Sequence, residues 1–560
     1  MQNKYEDIYL EQISKLNEVM RAGQFSEAIA LAVKILKINP DDYNTLFCLS
    51  KSYIRLDRKE KAHKVIKHLL KVLAEANEWE PLYYLAKLQL KNTQTAGKVV
   101  TAKKLLTLPD LSDEKKCLIY RLLRDNYVLI GSIGRAAEYA IKSCRLSRNY
   151  RDYSKFLFLL HYFKSIKAKH LFAVSMGIQD FFPQIIQYQH KFSNEMVPAK
   201  IRIGYISPNF NKHAVSLFIY HLIANYNKKD FEVYCYANCK EDPISAQLKQ
   251  FPEKWTSIYG MTDEEAAKRI YEDKIDILVD LAGHTDNNAV AVLVQKPAPV
   301  QVSGIGYFNT LGLKQVDYFM TDIYCDPLGE NNAYFTEKLL RLPHSHLCYT
   351  PLNPHLTAKP APCMKNGYIT FGSMNFFSKI NINVIKTWQK ILDEVPRSRL
   401  LLKDKIAGYE YALKHVKEYW QKNGIDLSRI EFEPASLNYM KSYYRIDIAL
   451  DTFPYPGGAT TCDALYMGVP VITLVGKRHG SRFGFSLLKN IGGMDECIAF
   501  SVKEYVYNAV SLAKNSEKIN KYHLNLYKKM IDSPVMNADT YMKDVERAYK
   551  VIWRKYVKRV

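Results

Sequence analysis

The sequence lacks the signatures of a metal scaffold, a membrane protein and a P-loop nucleotide hydrolase. Its ten cysteines are scattered with no C-x-x-C pair, which argues against both a disulfide framework and a zinc ribbon. Neither Asp-x-Asp nor H-E-x-x-H occurs anywhere in the 560 residues. His344-Ser-His346 could offer two metal ligands, but no carboxylate stands nearby in sequence, so no metal site is expected. A G-x-x-x-x-G-K-[ST] loop is missing, which excludes an ordinary P-loop ATPase. Apolar runs are too short to span a bilayer, and the opening MQNKYEDIYLEQ is polar and acidic rather than a signal peptide. A cytoplasmic protein with no transmembrane segment is expected.

Positive charge, in contrast, is plentiful. The formal net charge is +22, with lysine in nearly every segment and the densest run at Arg554, Lys555, Lys558 and Arg559. No basic–aromatic groove or nucleic-acid motif accompanies it, so the charge reads as solvated helix faces, and no nucleic-acid partner is expected. A chain of this length with 48% hydrophobic residues holds several domains, because single cores rarely exceed about 250–300 residues.

Residues 1–152 read as helical repeats. Gly23 to Pro40 gives G-x-F-x-x-A-x-x-x-A-x-x-I-x-x-x-x-P. Leu46, Leu49, Tyr53, Ala62, Ile66 and Leu69 recur at the roughly 34-residue period of tetratricopeptide repeats. A third copy carries Tyr120, Leu123, Tyr127, Gly131, Ala136 and Ala140, after an irregular unit over about 77–116 with Trp79 and Leu85. Residues 153–198 stay helical without the repeat. The period then changes: IRIGYIS, FEVYCYA, IDILVDLAG and PVQVSGIG read as buried strands of one Rossmann-like α/β domain over 199–362. GYITFGS, SRLLLKD, RIEFEP, DIALDTF and VPVITLVG make a second over 363–535, and a helix over 536–560 packs back on the pair. The expected fold class is therefore tetratricopeptide-like α-helical repeats followed by two Rossmann-like α/β domains with a cleft between them.

The chemistry concentrates just past strand ends, where parallel sheets bind ligands. Asp451 to Leu474 reads as strand, Pro-Gly-Gly turn, short helix and second strand. Gly457 and Gly458 let backbone approach a ligand, the helix start at Ala459 favours an anion such as a diphosphate, and Thr460 and Thr461 add hydroxyls. Asn375 and Lys379 lie in GSMNFFSKIN ahead of a helix with Ile385, Trp388 and Ile391 or Leu392 on its apolar face, so the lysine can join in holding phosphate. Arg482, in the basic loop GKRHGSR, could reach the same anion. His213 (SPNFNKH) and His284 (DLAGHT) both follow strands of the first domain, suited to hydrogen bonding or proton transfer.

These blocks, taken in order with GYFNTLGL, DYFMTD and LPHSHLCY, resemble the O-linked N-acetylglucosamine transferase / SPINDLY-like group, glycosyltransferase family 41, in a bacterial form. The resemblance runs from about Tyr153 to Trp553 with tetratricopeptide repeats in front. It implies a GT-B fold and inverting, metal-independent transfer of N-acetylglucosamine or another sugar from a UDP-sugar, with no cofactor, to Ser/Thr hydroxyls of a protein. Lys379 matches the lysine on the donor diphosphate. Thr460, Thr461 and Asp463 match the donor-binding helix start, the acid toward ribose. His213 matches an active-site histidine near the acceptor, and His284 falls in a block lining the cleft. Asn209, Pro456, Ala459 and Phe376 depart from the family's usual residues, which leaves the sugar and the base open. The rival readings are asparagine glucosylation of an adhesin, fucosyl transfer from a GDP-sugar, and a non-catalytic tetratricopeptide adaptor with a ligand-sensing module. A protein or peptide acceptor held by the repeats is implied, flagellin or a surface protein before export being candidates. Oligomeric state stays open.

Overall fold

A computed structural model of the chain describes residues 2–74, 95–190, 200–351 and 357–558, together with 79, 82, 83 and 86. Paired helices come first: Gln2–Ala22 with Phe25–Ile38, Tyr43–Arg55 with Lys59–Ala74, and Asp113–Leu129 with Ile133–Ser147. Small residues make the pairing possible, since Ala28, Ala32, Ala62, Ala136 and Ala140 are all buried where helices approach. Asp42 and Ser112 start their helices by accepting the amides of Thr45 and Lys115. In the irregular unit, Trp79 stacks on Tyr83 with ring centroids 5.0 Å apart, whereas Leu85 lies outside the described residues.

Helix Tyr150–Leu160 joins the repeats to the rest. Its buried Asp152 accepts from Arg121, Arg124, Ser143 and Ser147, and beside it Tyr150 and Arg151 both bond Asp263 of the first α/β domain. A buried carboxylate needs that many donors to offset its desolvation.

Among the described residues, thirteen strands form two all-parallel sheets. The first contains β1 (Ile201–Ser207), β2 (Phe231–Ala237), β3 (Lys254–Ser257), β4 (Ile277–Asp280), β5 (Val300–Ser303), β6 (Tyr318–Asp322) and β7 (Lys338–Leu342), in the order β3-β2-β1-β4-β5-β6-β7. The second contains β8 (Thr370–Ser373), β9 (Arg399–Lys403), β10 (Ile430–Glu433), β11 (Ile448–Leu450), β12 (Val471–Leu474) and β13 (Ile498–Ala499), in the order β10-β9-β8-β11-β12-β13. Strands such as β4 and β5 are buried at every residue, as strands of a sheet covered on both faces are. β1 and β2 have the bounds read from the sequence, while β3, β6, β7 and β13 were not foreseen. The architecture is the expected one: helical repeats followed by two Rossmann-like domains.

The helix Ile382–Glu394 buries Ile385, Trp388, Ile391 and Leu392 completely or nearly so. Trp388 Nε1 then donates to the Tyr505 hydroxyl, which donates to the Asp451 carbonyl at 2.8 Å, so core packing fixes the end of β11. The last helix, Ala538–Val557, returns to the first domain, with Tyr549 bonded to Tyr205, Lys550 to Asp230 and Asp544 to His344.

Candidate active site

Each sheet reverses its strand order once, at β1/β4 and at β8/β11, and such switch points open crevices at the strand C-termini. The segments singled out from sequence lie there. Asn375 and Lys379 follow β8; Asp451 to Thr461 follow β11; His213 follows β1; Asp280 ends β4 and His284 follows it.

At β8/β11 the loops interlock. Thr460 Oγ1 donates to Asn375 Oδ1 at 3.0 Å, and Asn381, which caps the following helix, donates to the Phe453 carbonyl at 2.9 Å. Lys379 Nζ donates to the Pro456 carbonyl at 2.8 Å and lies 3.8 Å from the centroid of the Tyr455 ring. Glycine at 457 leaves room for the threonines: a Cβ there would stand 2.5 Å from Thr460 Oγ1 and 2.6 Å from Thr461 Oγ1. The helix Ala459–Tyr466 starts at Gly458 with no side-chain cap, which leaves its first amides and dipole available to an anion. One lysine, two hydroxyls, an amide side chain and a helix start thus converge on one turn.

Electrostatics sharpen this group. Lys379 is buried, and desolvation brings its ammonium down to about 8 against the opposing pull of Asp451. Asp451 is buried too, and burial pushes its carboxyl up to about 6, opposed by the Gly457 amide and by Lys379. Its Oδ1 accepts from the amides of Gly457 at 2.7 Å and Thr452 at 2.9 Å, and its Oδ2 from Thr473 at 3.0 Å. Sequence reading passed over this residue, although an acid ending a strand at the head of a glycine turn was a usable signal.

Other expected residues sit apart from the turn. His284 is fully buried, its Nδ1 against Ser154 Oγ at 2.9 Å and its Nε2 against the Leu311 carbonyl at 2.9 Å, with burial lowering its pKa to about 4. Both ring nitrogens of His284 are thus engaged inside the protein. Arg482 is committed to the carbonyls of Tyr324 and Gly476. Asp463, one turn into the helix Ala459–Tyr466, accepts from Tyr349 Oη at 2.5 Å and Tyr439 Oη at 3.0 Å, with its carboxyl raised to about 6 by burial.

His213 reaches solvent, but the concave protein surface around it lowers its pKa by desolvation, against a smaller opposing effect of Asp286. The Val215 amide donates to its Nδ1 at 3.2 Å. A neutral His213 therefore carries its proton on Nε2, which leaves that nitrogen as a hydrogen-bond donor.

The linker closes over this region. Tyr162 shares a hydrogen bond with Ser378, and Arg478 donates to the carbonyls of His161 and Phe163 at 3.2 and 3.3 Å. A groove of about 940 Å³ runs between the third repeat (Gly131, Arg135, Glu138) and the second α/β domain (Asn383, Tyr419, Trp420). His346 does have a carboxylate partner, from β6: its Nδ1 lies 2.5 Å from Asp322 Oδ2. Asp322, Cys325 and His346 hold potential ligand atoms within 4.8 Å of one another, yet both Asp322 oxygens are already filled by Tyr324, Cys325, His346 and Ser486. Among the described residues, no helix is long and apolar enough to cross a membrane.

Comparison with known proteins gives a consistent result. The family model "Glycosyl transferase family 41" matches residues 143–368 and 349–545. A Solanum lycopersicum protein named "Probable UDP-N-acetylglucosamine--peptide N-acetylglucosaminyltransferase SPINDLY" is 36% identical over 386 residues, 67% of this chain and 41% of that protein. The Arabidopsis thaliana protein of the same name is 39% identical over 369 residues, 64% of this chain and 40% of its own length. The matched segment thus spans about two fifths of these relatives. A solved O-GlcNAc transferase from Thermobaculum terrenum shares the fold, with a TM-score of 0.75 over 98% of both chains at 24% identity.

Proposed function

The chain belongs to glycosyl transferase family 41, and from that premise we propose that it transfers N-acetylglucosamine from a UDP-sugar to serine or threonine hydroxyls of a protein, with inversion and without a metal. The observation that carries this reading is the convergence of Lys379, Thr460, Thr461, Asn375 and the helix start at Ala459 on the turn at Gly457 and Gly458. That set of donors suits a diphosphate, and a sugar–phosphate bond breaks more easily when charge on the leaving phosphate is stabilised. Preorganised donors of this kind usually supply the largest catalytic contribution.

In this mechanism the acceptor hydroxyl attacks the anomeric carbon as the bond to the diphosphate breaks, its proton passing to an oxygen of the departing diphosphate. Lys379, charged below about pH 8, and the two threonines take up the developing negative charge. Asp463 orders the nucleoside end of the donor through the helix that carries it. His213 offers an Nε2 proton to an oxygen on the acceptor side, and its bond from Val215 suits that role better than that of a base. The groove between the repeats and the second α/β domain accommodates an extended acceptor segment. Its setting beside Phe377 and Ser378, next to Lys379, favours a protein acceptor. A cytoplasmic setting fits a nucleotide-sugar donor.

A thermal-shift panel of UDP, GDP, UDP-N-acetylglucosamine, UDP-glucose and GDP-fucose tests the donor, and intact-mass analysis of co-expressed acceptors tests the product. Stabilisation by UDP and its N-acetylglucosamine conjugate, with N-acetylhexosamine added to serine or threonine, is expected. Preference for GDP, or hexose on asparagine, would overturn the assignment.

A further inference from the structure

Asp451 lies beneath the donor turn, and no oxygen of its carboxylate is left for a substrate. Oδ1 takes the amides of Gly457 and Thr452, Oδ2 takes the Thr473 hydroxyl, and Gly484 packs against Oδ2 closely enough that a Cβ there would sit 3.0 Å away. The backbone of Asp451 is fixed as well, through Tyr505. Such a group cannot touch the reacting atoms, but it can act through those that do.

Lys379 is the group it acts on. Around the lysine stand Asp451 and Tyr455 from the β11 loop, Tyr162 from the linker through Ser378, and Asp404 and Lys405 from the loop after β9, which meet Phe377 and Phe376. Of these, Asp451 is the one whose charge supports the ammonium. The remaining contacts are a carbonyl and an aromatic face, which tolerate a cation without fixing its protonation.

We propose that Asp451 is a positioning residue for transfer: it grips the Gly457 amide while Lys379 grips the Pro456 carbonyl of the same peptide unit, so the carboxylate holds the turn and the lysine in one arrangement. This rests on the reading of Lys379 as the diphosphate lysine. Burial favours loss of the proton from Lys379, and the negative charge opposes that loss, so removing the charge shifts the lysine toward its neutral form at a lower pH. A neutral lysine no longer stabilises the leaving diphosphate. Asp280 supplies an internal control. It ends β4 in the first domain, accepts the Gly283 amide and the Ser303 hydroxyl, and burial raises its carboxyl to about 6 with no lysine opposing. Its work is confined to the turn.

The test is the pH profile of UDP release from UDP-N-acetylglucosamine by the full chain, alongside UDP affinity by calorimetry. Wild type is expected to lose kcat/KM as pH rises through about 8. Asp451→Asn should bring that alkaline limb down by about one pH unit or more, with activity partly recovered near pH 6.5. Asp451→Ser, smaller and still an acceptor, gives the same reading if the amide variant fails to fold. Asp451→Glu, which keeps the charge, should leave the limb in place at a lower rate, and so should Thr473→Val and Asp280→Asn. An unmoved limb in both neutral Asp451 variants, or an equal shift in Asp280→Asn, overturns the proposal and leaves the donor assignment standing. If wild type neither binds UDP nor releases it, the donor assignment itself falls, and this inference with it.

Discussion

Asp280 and Asp451 occupy matching stations in the two sheets. Each lies at the end of the strand beside a switch point, β4 next to β1 and β11 next to β8, and each accepts a glycine amide from its own turn and a hydroxyl from the next strand, Ser303 or Thr473. Burial raises both carboxyls to about 6. The difference is Lys379, which opposes only Asp451. The same turn-forming device thus serves both halves, and a buried cation turns one copy into an electrostatic site.

The two adjacent glycines of the donor turn should respond differently to alanine. Gly457→Ala places a methyl against both threonine hydroxyls and Asn375, an overpacking cost of about 1–3 kcal/mol that falls on the donor site, so UDP affinity by calorimetry should drop tenfold or more. Gly458→Ala meets no protein atom within 4 Å, so it should leave stability unchanged, and any UDP affinity it loses reports the close approach of the ligand.

Lys379→Ala should reduce transfer by about 10²–10³ while the folded chain persists, as circular dichroism would report. Near-normal turnover in this variant contradicts the assignment of the lysine to the leaving diphosphate.

His284 should matter to stability rather than to chemistry. Its folded pKa, about 4 against an ordinary 6.5, means that the unfolded chain binds a proton there more readily. Its contribution is complete above pH 6.5 and is lost as pH falls toward 4, by roughly 3 kcal/mol in total. Denaturation of wild type and His284→Gln should therefore diverge at neutral pH and converge in acid, with kcat per folded molecule similar.

Arg478→Met removes the donor to the His161 and Phe163 carbonyls. The midpoint of thermal unfolding should fall by the equivalent of about 1–3 kcal/mol, and limited proteolysis after Leu160 should speed up. An unchanged cleavage rate would mean that the linker is held by its aromatic contacts alone.

Much of this was legible in local sequence. β1 and β2 were read with their observed bounds because seven apolar-rich residues stand between turn-formers. The Asn375, Lys379 and Gly457 to Thr461 groups were found because donors directly after a strand have one plausible ligand direction. β3 and β13 escaped because Lys254–Ser257 is a partly exposed edge strand and Ile498–Ala499 has two residues. Tertiary contact hid the rest. His346 meets Asp322 from 24 positions upstream, and His344 meets Asp544 from 200 positions downstream, distances at which no local motif speaks. His284 looked chemical because its place after β4 resembles that of His213 after β1; only Ser154 and Leu311 reveal that both of its nitrogens are used.

The repeats touch the loop after β8. A Cβ on Gly131, in the turn of the third repeat, would lie 3.3 Å from the Phe377 carbonyl, two residues before Lys379. The array is therefore not an interchangeable handle: exchanging it for the repeats of a relative would redraw the wall behind Lys379, and the proposed acceptor side and donor side of this chain would have to change together.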